Sequence, residues 1–284
     1  MSSRTSPTVV RRRLAAELRE LRRRSNLNRK QVAEAVGVAE STVTKIENNS
    51  TAPAYSVVSL MLDLYEVEGE QRQFLLTLAR EVRKRGWWQS YKGKGAIPEW
   101  FEVYVGMESA ASKLNHYDSE LIPGLLQTAD YYGAYLGTAP AADAEDIERK
   151  IEFRLARQDR LTTPDELELW SIMNEACIRR MVGGRTTMKA QLNHLMEIST
   201  RPNVTLQVLP FEAGSHAAMD GSFIVIEFPD PWPPVVYLES QSDARYLEDP
   251  AVVHGYNVVF NHLRAKSLSV EDSLALIAQV GKDL

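Results

Sequence analysis

Apolar residues in the first third of the chain recur every three or four positions, which is the spacing of one helix face. Val10, Leu14, Leu18 and Leu21 form the first such stripe, with arginines on the other faces. Further stripes occur in "RKQVAEAV", "AYSVVSLMLDLY" and "EGEQRQFLLTLAREVRK", and a more polar one follows the first of these. The pattern predicts five short helices with short connections, which we expect to pack as an all-α domain.

The segment "GVAESTVTKIENN", residues 37–49, is the most polar of the five. Only Val38, Val43 and Ile46 are sizeable apolar side chains, and they form one narrow stripe at helical spacing. Gly37 precedes the helix and has the freedom at positive φ that suits a tight turn. Because a helix with so little to bury depends on its neighbours, we expect its polar face to contact something outside the domain.

The later part of the chain mixes two periodicities. Helical patterns cover residues 98–114, 121–136 and 144–160, and runs rich in β-branched and aromatic residues follow them. The strand-like runs are "LELWSIM", "VTLQVLP", "SFIVIEF" and "VVYLES", and a helix long enough for a crossover separates the first two. With a final helix at 250–265, these elements predict a mixed α/β domain with a small sheet.

Length and composition indicate how the chain divides. Its 284 residues exceed the size of a usual single core, so two domains are expected. Ser, Thr and Pro are frequent at the start, and "GWWQSYKGKGAIPEW" introduces glycines and aromatic residues at the boundary. We therefore predict a flexible tail at 1–8, a helical domain at 9–86, a junction at 87–99 and an α/β domain at 100–284.

The net charge of −5 hides a division between the two parts of the chain. Residues 1–94 contain 18 Lys and Arg and 10 Asp and Glu, a balance of +8. Residues 95–284 contain 15 and 28, a balance of −13. A basic module on an acidic remainder favours a polyanion as the partner of the first domain.

Motifs for catalysis are missing from the sequence. No GxSxG, GxGxxG, Walker or HExxH motif occurs, and the five histidines show no metal-ligand spacing. We therefore predict no enzymatic activity, no metal and no cofactor. A single cysteine, Cys177, fits a reducing compartment, and no apolar run approaches the roughly 18 residues that cross a bilayer. We expect a cytoplasmic, nucleoid-associated protein without a membrane partner.

In the stretch "LNRKQVAEAVGVAESTVTKIENN", apolar, small and glycine positions follow a helix-turn-helix order. Over about residues 10–66 the chain resembles the Xre family of phage-repressor-like regulators. The resemblance implies a five-helix domain that binds double-stranded DNA with its third helix in the major groove. It also implies a sequence-specific regulator that acts as a homodimer on two half-sites about one helical turn apart.

The residues along this motif suit base edges and phosphates. Helical spacing directs four side chains of the third helix toward base edges: Glu40, Ser41, Thr44 and Lys45. The resemblance implies phosphate contacts at the start of the second helix and after the third, from Asn28, Arg29, Lys30 and Asn48. Thr42 is placed either to contact a phosphate or to support the start of the third helix. The resemblance further implies a structural ion pair between helix one and the end of the third helix, formed by Arg22 and Glu47.

The stretches "IPGLLQTADYY", "MNEACIRRMVGG", "RPNVTLQVLPFEAGSH" and "VVYLES" occur in this order over about residues 100–277. They resemble the C-terminal domain of a large actinobacterial group of Xre-type regulators. The resemblance implies an antitoxin-like transcriptional regulator paired with a small acidic partner protein, and it supplies no active site. The alternative hypothesis is a repressor that senses a small molecule, with a pocket lined by Trp170, Phe223 and Tyr237.

Overall fold

The computed structural model describes residues 6–91, 98–139, 143–163, 167–230 and 232–284. The chain forms two compact units, Met1–Gln89 and Ser90–Leu284. Most of the predicted tail, residues 1–5, and the middle of the predicted junction, residues 92–97, lie outside the described residues. Within the described ranges, no helix is both long enough and apolar enough to span a bilayer.

The first unit is all-α and contains five helices within residues 6–86: α1 Pro7–Arg24, α2 Arg29–Val36, α3 Glu40–Glu47, α4 Tyr55–Leu64 and α5 Gly69–Glu81. Helix α1 begins two residues before the predicted start at Val9. The reason is local, because the Ser6 hydroxyl accepts a hydrogen bond from the Val9 amide at 3.4 Å and Pro7 occupies the first turn. Residues 7 and 8 therefore belong to the helix and not to a tail.

The core of the first unit contains the apolar residues that recur at helical spacing. Leu14 and Leu18 of α1, Val43 of α3 and Leu75 of α5 have no accessible surface. The helical spacing of "EGEQRQFLLTLAREVRK" predicts that Phe74 is buried with Leu75 and Leu78, but Phe74 is exposed. Leu75, Leu76 and Leu78 already fill the inward face of α5. The fold class of this unit is as predicted.

The second unit contains a six-stranded mixed sheet in the order β3-β2-β1-β4-β5-β6 among its described residues. The strands are β1 Lys113–Asp118, β2 Glu168–Asn174, β3 Val204–Leu209, β4 Phe223–Glu227, β5 Val235–Glu239 and β6 Ala244–Leu247. Strands β1, β2 and β3 are parallel, and β4, β5 and β6 continue the sheet in antiparallel order. The predicted mixed α/β class is confirmed.

Helices cover this sheet and one of its edges. They are α6 Glu99–Ala110, α7 Ala129–Leu136, α8 Ala144–Gln158, α9 Glu175–Arg179, α10 Gly184–Ile198, α11 Pro250–Lys266 and α12 Val270–Asp283. Helix α10 is the predicted crossover between the parallel strands β2 and β3. The segment around α12 closes the outer edge of β3, because the Val208 amide donates to the Ser273 hydroxyl at 2.9 Å and its carbonyl accepts from Leu268 at 3.0 Å.

Strand β1 contradicts the predicted helix at 98–114, which in fact ends at Ala110. The strand carries polar residues at positions that are buried on both faces of the sheet, so it lacks the apolar run expected of a central strand. Asn115 is satisfied by Glu227 at 2.9 Å, and His116 pairs with Asp118 at 2.9 Å. Glu227 is far from Asn115 in the sequence, and no sequence pattern indicates that Asp118 pairs with His116. Both partners allow a polar segment to lie in the middle of the sheet.

Candidate nucleic-acid interface

Helix α2 begins with a reciprocal cap. The Gln31 amide donates to Oδ1 of Asn28, and the Asn28 amide donates to Oε1 of Gln31, each at 2.9 Å. These bonds satisfy two backbone amide groups at the start of the helix. The neighbouring backbone amides give this end of the helix a partial positive charge. Lys30 is beside them with a side chain that is 73% exposed. The start of α2 therefore presents positive charge at the surface.

The turn between α2 and α3 depends on a glycine. Gly37 has φ +74°, a left-handed conformation, and the Val38 amide donates to the carbonyl of Ala33 at 3.0 Å. Ala33 is almost fully buried, so its small side chain occupies the inside of the bend. The chain then enters α3 after Ala39, which is in extended conformation.

Helix α3 divides into a buried and an exposed face. Val43, Ile46 and Glu47 are buried, whereas Glu40, Ser41 and Lys45 are exposed and Thr44 is half-buried between them. At 100° per residue the four polar side chains share one arc of roughly 140°. The predicted base-contacting residues therefore lie together on the outward face of the helix.

The residues predicted to contact phosphates surround this face unevenly. Asn28 and Lys30 are exposed at the start of α2, and Asn48 is exposed at the end of α3. Thr42 is half-buried beside the outward face. Arg29 is different, because its side chain is 37% exposed and its Nε donates to Glu47.

A buried carboxylate connects the first three helices. Glu47 has no accessible surface, and its Oε1 accepts from Nε of Arg22 at 2.5 Å. Its Oε2 accepts from Nη2 of Arg22 at 3.1 Å and from Nε of Arg29 at 2.9 Å. Arg22 also donates to the carbonyl of Leu27 at 2.9 Å, and Arg19 donates to the carbonyl of Glu47. We call Arg22, Arg29 and Glu47 the ion cluster.

The electrostatics of the ion cluster favour the charged carboxylate. Burial by itself raises the pKa of Glu47, but the hydrogen bonds from Arg22 and Arg29 and their positive charges outweigh it. The net result is a pKa of Glu47 below its ordinary value of 4.5. The pKa of Arg22 is raised, chiefly because its guanidinium donates to Glu47. The contacts with Arg22 and Arg29 thus favour the ionised form of Glu47 at neutral pH.

Comparison with known families supplies two matches. Residues 13–75 match a helix-turn-helix domain, and residues 101–279 match a domain of unknown function, DUF5753. The second match covers more than half of the chain. The chain belongs to the DUF5753 family. Comparisons with curated proteins and with solved structures gave no match.

The helix-turn-helix match supports DNA binding by the unit that contains α2, the Gly37 turn and α3. The DUF5753 domain follows it and carries the six-stranded sheet. In the described part of the chain, no group of His, Cys, Asp and Glu has the geometry to hold a metal ion. Cys177 is buried in the DUF5753 domain, and burial raises the pKa of its thiol well above the ordinary value. Burial thus favours the protonated thiol over the nucleophilic thiolate.

The predicted pocket in the DUF5753 domain requires a correction. Phe223 and Tyr237 both line a cavity of about 560 Å³, but Trp170 does not. The strand register places Trp170 and Phe223 on the face that packs against α11, whereas Tyr237 points to the opposite face. Phe223 is the first residue of β4, at the end of the strand, and it also lines the cavity. Trp170 instead donates to Gln207 at 2.9 Å and contacts the guanidinium of Arg264.

Some contacts around α3 were not anticipated from the sequence. Arg29 joins Glu47, and Asn49, in a left-handed conformation with φ +60°, accepts from Nε of Arg11 at 3.0 Å. The pair "NN" after the helix was a usable signal, because Asn adopts positive φ more readily than most residues. No local sequence pattern predicts the contact between Arg29 and Glu47, since 18 positions separate the two residues.

We expect Glu47→Gln to lower the free energy of unfolding of the helix-turn-helix unit by about 3 kcal/mol at pH 7, because removing one partner of a buried pair leaves the other without compensation. The ion cluster stabilises the fold fully above pH 4.5, and this contribution is lost as pH falls through the lower folded-state pKa of Glu47. Chemical denaturation between pH 7 and pH 3 checks both points, because the difference between the two proteins shrinks on acidification.

The matched control is Glu34→Gln on α2, whose carboxylate is exposed and lies 4.0 Å from Lys30. Its effect should stay below about 0.5 kcal/mol at every pH. A Glu47→Gln difference that stayed constant on acidification would show that the loss arises from packing and not from charge.

Proposed function

We propose that this chain is a sequence-specific DNA-binding transcriptional regulator of the Xre type that inserts α3 into the major groove. The observation that carries the proposal is the outward face of α3, where Glu40, Ser41, Thr44 and Lys45 lie together opposite the buried Val43 and Ile46. Lys45 suits guanine O6 and N7, Glu40 suits cytosine N4, and the two hydroxyl groups suit several bases. These side chains make a surface that reads sequence as well as charge.

The charge of the first unit supports the same proposal. The excess of eight positive charges in residues 1–94 favours a polyanion and makes binding depend on salt. Asn28, Lys30, Thr42 and Asn48 are available at the ends of α2 and α3 to contact phosphates. Arg29 can join them, because Glu47 occupies only its Nε.

The regulator is proposed to act as a homodimer on two half-sites. Selection of bound sequences from random DNA by the full chain tests this most directly. We expect recovered sites with two similar half-sites about 10 base pairs apart, and a dimer of the protein in the complex by sedimentation. A single short site bound by one copy would exclude the dimer, and the absence of any enriched sequence would exclude sequence-specific reading.

On a DNA site recovered by the selection, Lys45→Ala and Lys30→Ala should weaken binding in different ways. Lys45→Ala removes a base contact, so it should cost about 1–3 kcal/mol and relax the preference at one base position. Lys30→Ala removes a phosphate contact, so it should weaken binding to all sequences alike and reduce the salt slope by about one unit. Titration against the site and its single-base variants at two salt concentrations separates these effects.

Lys30 is a suitable comparison because it is exposed and only weakly paired with Glu34. Arg29→Ala is a poorer probe of phosphate contact, since it would also disturb the ion cluster. If Lys45→Ala and Lys30→Ala shifted all sequences equally, α3 would not be the helix that reads the bases.

A second proposal concerns the DUF5753 domain, which we infer to be antitoxin-like and to bind a small acidic protein. It rests on an exposed surface between α9 and α10, where Met181 is 49% exposed and is close in sequence to the exposed Arg179, Arg180 and Arg185. An exposed apolar side chain that is flanked along the chain by arginines suits an acidic partner. The resemblance to actinobacterial regulators that are paired with such proteins supports the same inference.

Purification of the full chain from its native cells should yield a stoichiometric small acidic protein if this proposal holds. Met181→Glu should remove it, because the substitution places a carboxylate where the acidic partner would dock. Val258→Glu on α11 is the matched control, since Val258 is 42% exposed and lies on another element. Retention of the partner by Met181→Glu would place the interface elsewhere.

These proposals describe a regulator and not an enzyme, acting on DNA in the cytoplasm. The helix-turn-helix match supports that class. The remaining alternative for the DUF5753 domain, a sensor of a small molecule, has one specific observation in its favour, which is the cavity beside Tyr237.

A further inference from the structure

The cavity of about 560 Å³ lies in the DUF5753 domain, on the face of the sheet opposite α11. Its walls come from α6, α7 and α8 and from the strands β1, β4 and β5, which are spread along the sequence of this domain. The volume is within the range of roughly 300–1,000 Å³ that small-molecule sites occupy. The chemistry of the walls therefore decides what kind of molecule fits.

Aromatic rings form much of the lining. The rings of Tyr104 and Tyr237 are 4.3 Å apart between centroids, and Phe101 stacks on Tyr104 at 5.2 Å. Tyr132 and Tyr135 of α7 stack on each other at 6.4 Å on another part of the wall. Rings at these positions favour a ligand with a planar apolar body, which can stack on or against them.

Two arginines of α8 supply positive charge to the same cavity. Arg154 lies over the ring of Tyr132 at 3.9 Å, and in the described part of the chain no carboxylate forms an ion pair with it. Arg157 is almost fully buried and donates to Glu108 from Nε at 2.8 Å and from Nη2 at 2.7 Å. Its Nη1 is buried without a hydrogen-bond partner among the described residues.

The carboxylates of the lining are already engaged. Asp118 pairs with His116 at 2.9 Å, and Glu239 accepts from the Tyr237 hydroxyl at 2.7 Å. Glu120 pairs with Arg180. Within the described ranges, the guanidinium of Arg154 and Nη1 of Arg157 thus have no hydrogen-bond or ion-pair partner, whereas each acid of the lining has one. A ligand that brings an anionic acceptor can form a charge-assisted hydrogen bond with Arg154, whose guanidinium has no ion-pair partner in the described part of the chain.

We propose that this cavity binds a small carboxylic acid with a planar aromatic body, whose carboxylate lies against Arg154 and whose ring packs among Tyr132, Tyr135 and Tyr237. This site concerns the DUF5753 domain alone, and it deepens the sensor alternative without depending on DNA binding by the first unit. Arg154 stacked on Tyr132 is oriented before the ligand arrives, which lowers the entropic cost of binding.

Calorimetric titration of the full chain, with no DNA present, tests the proposal. The probes are phenylacetate, the neutral phenylacetamide and the cationic phenethylamine, which share one ring and differ in charge. We expect phenylacetate to bind at least about tenfold more tightly than the other two, because only it forms a charge-assisted bond with Arg154. Equal or tighter binding of the amide or the amine, or no binding of phenylacetate, would overturn the proposal.

Variants locate the site within the protein. Arg154→Gln should weaken phenylacetate binding at least about tenfold and leave the weak binding of phenylacetamide unchanged. Arg149→Gln removes the same charge from the same helix, but Arg149 is ion-paired with Asp146 and does not line the cavity, so binding should not change. Unaltered binding by Arg154→Gln would place the acid elsewhere and sink the assignment.

A second variant tests the site independently, in case Arg154→Gln loses binding because it misfolds. Tyr135 is exposed at the rim of the cavity, so Tyr135→Leu should leave the thermal unfolding temperature unchanged. It removes one ring of the wall and should weaken phenylacetate and phenylacetamide binding by a similar factor of several-fold. A change confined to the acid would contradict the assigned role of this ring.

Discussion

The buried carboxylate of Glu47 is the interaction on which the arrangement of the DNA-binding helices depends. Removing this charge from water is costly, and the cost is offset only while two guanidinium groups remain in place. Arg22 comes from α1 and Arg29 from the first position of α2, so one carboxylate at the end of α3 joins all three helices. A helix with only Val43 and Ile46 to bury needs such a constraint to present its polar face in a defined direction.

The DUF5753 domain uses a related pair for a different purpose. Glu108 of α6 and Arg157 of α8 form a two-bond contact that is almost fully buried, and it connects two helices across the cavity wall. Burial by itself lowers the pKa of Arg157, but the charge and hydrogen bonds of Glu108 raise it above the ordinary value. In the ion cluster the donors of Arg22 bond to Glu47 and to the carbonyl of Leu27, whereas Nη1 of Arg157 has no partner among the described residues. The fully bonded ion cluster therefore suits a structural role, whereas the unpaired Nη1 of Arg157 leaves a donor that a ligand can satisfy.

The sequence predicts the structure correctly where interactions between neighbouring residues determine it. The 3.6-residue period and the left-handed Gly37 predict α1 to α5, and the spacing of Glu40, Ser41, Thr44 and Lys45 predicts one outward face. Sequence reasoning failed at β1, where Asn115 and His116 are buried because of partners that a period cannot reveal. It also placed Trp170 beside Tyr237, because aromatic composition alone does not tell which face of a sheet a residue occupies. Long-range pairing decides such positions.

Arg29 shows how the structural and functional roles of one residue combine. Its Nε is held by Glu47, which fixes the plane of the guanidinium, and its terminal nitrogens have no partner among the described residues. It also lies at the start of α2, where the helix dipole attracts anions. A phosphate that approaches from solvent therefore meets an arginine that is already oriented, so less side-chain entropy is lost on binding. The same carboxylate that fixes the outward face of α3, proposed to read bases, thus also orients the proposed phosphate contact next to it.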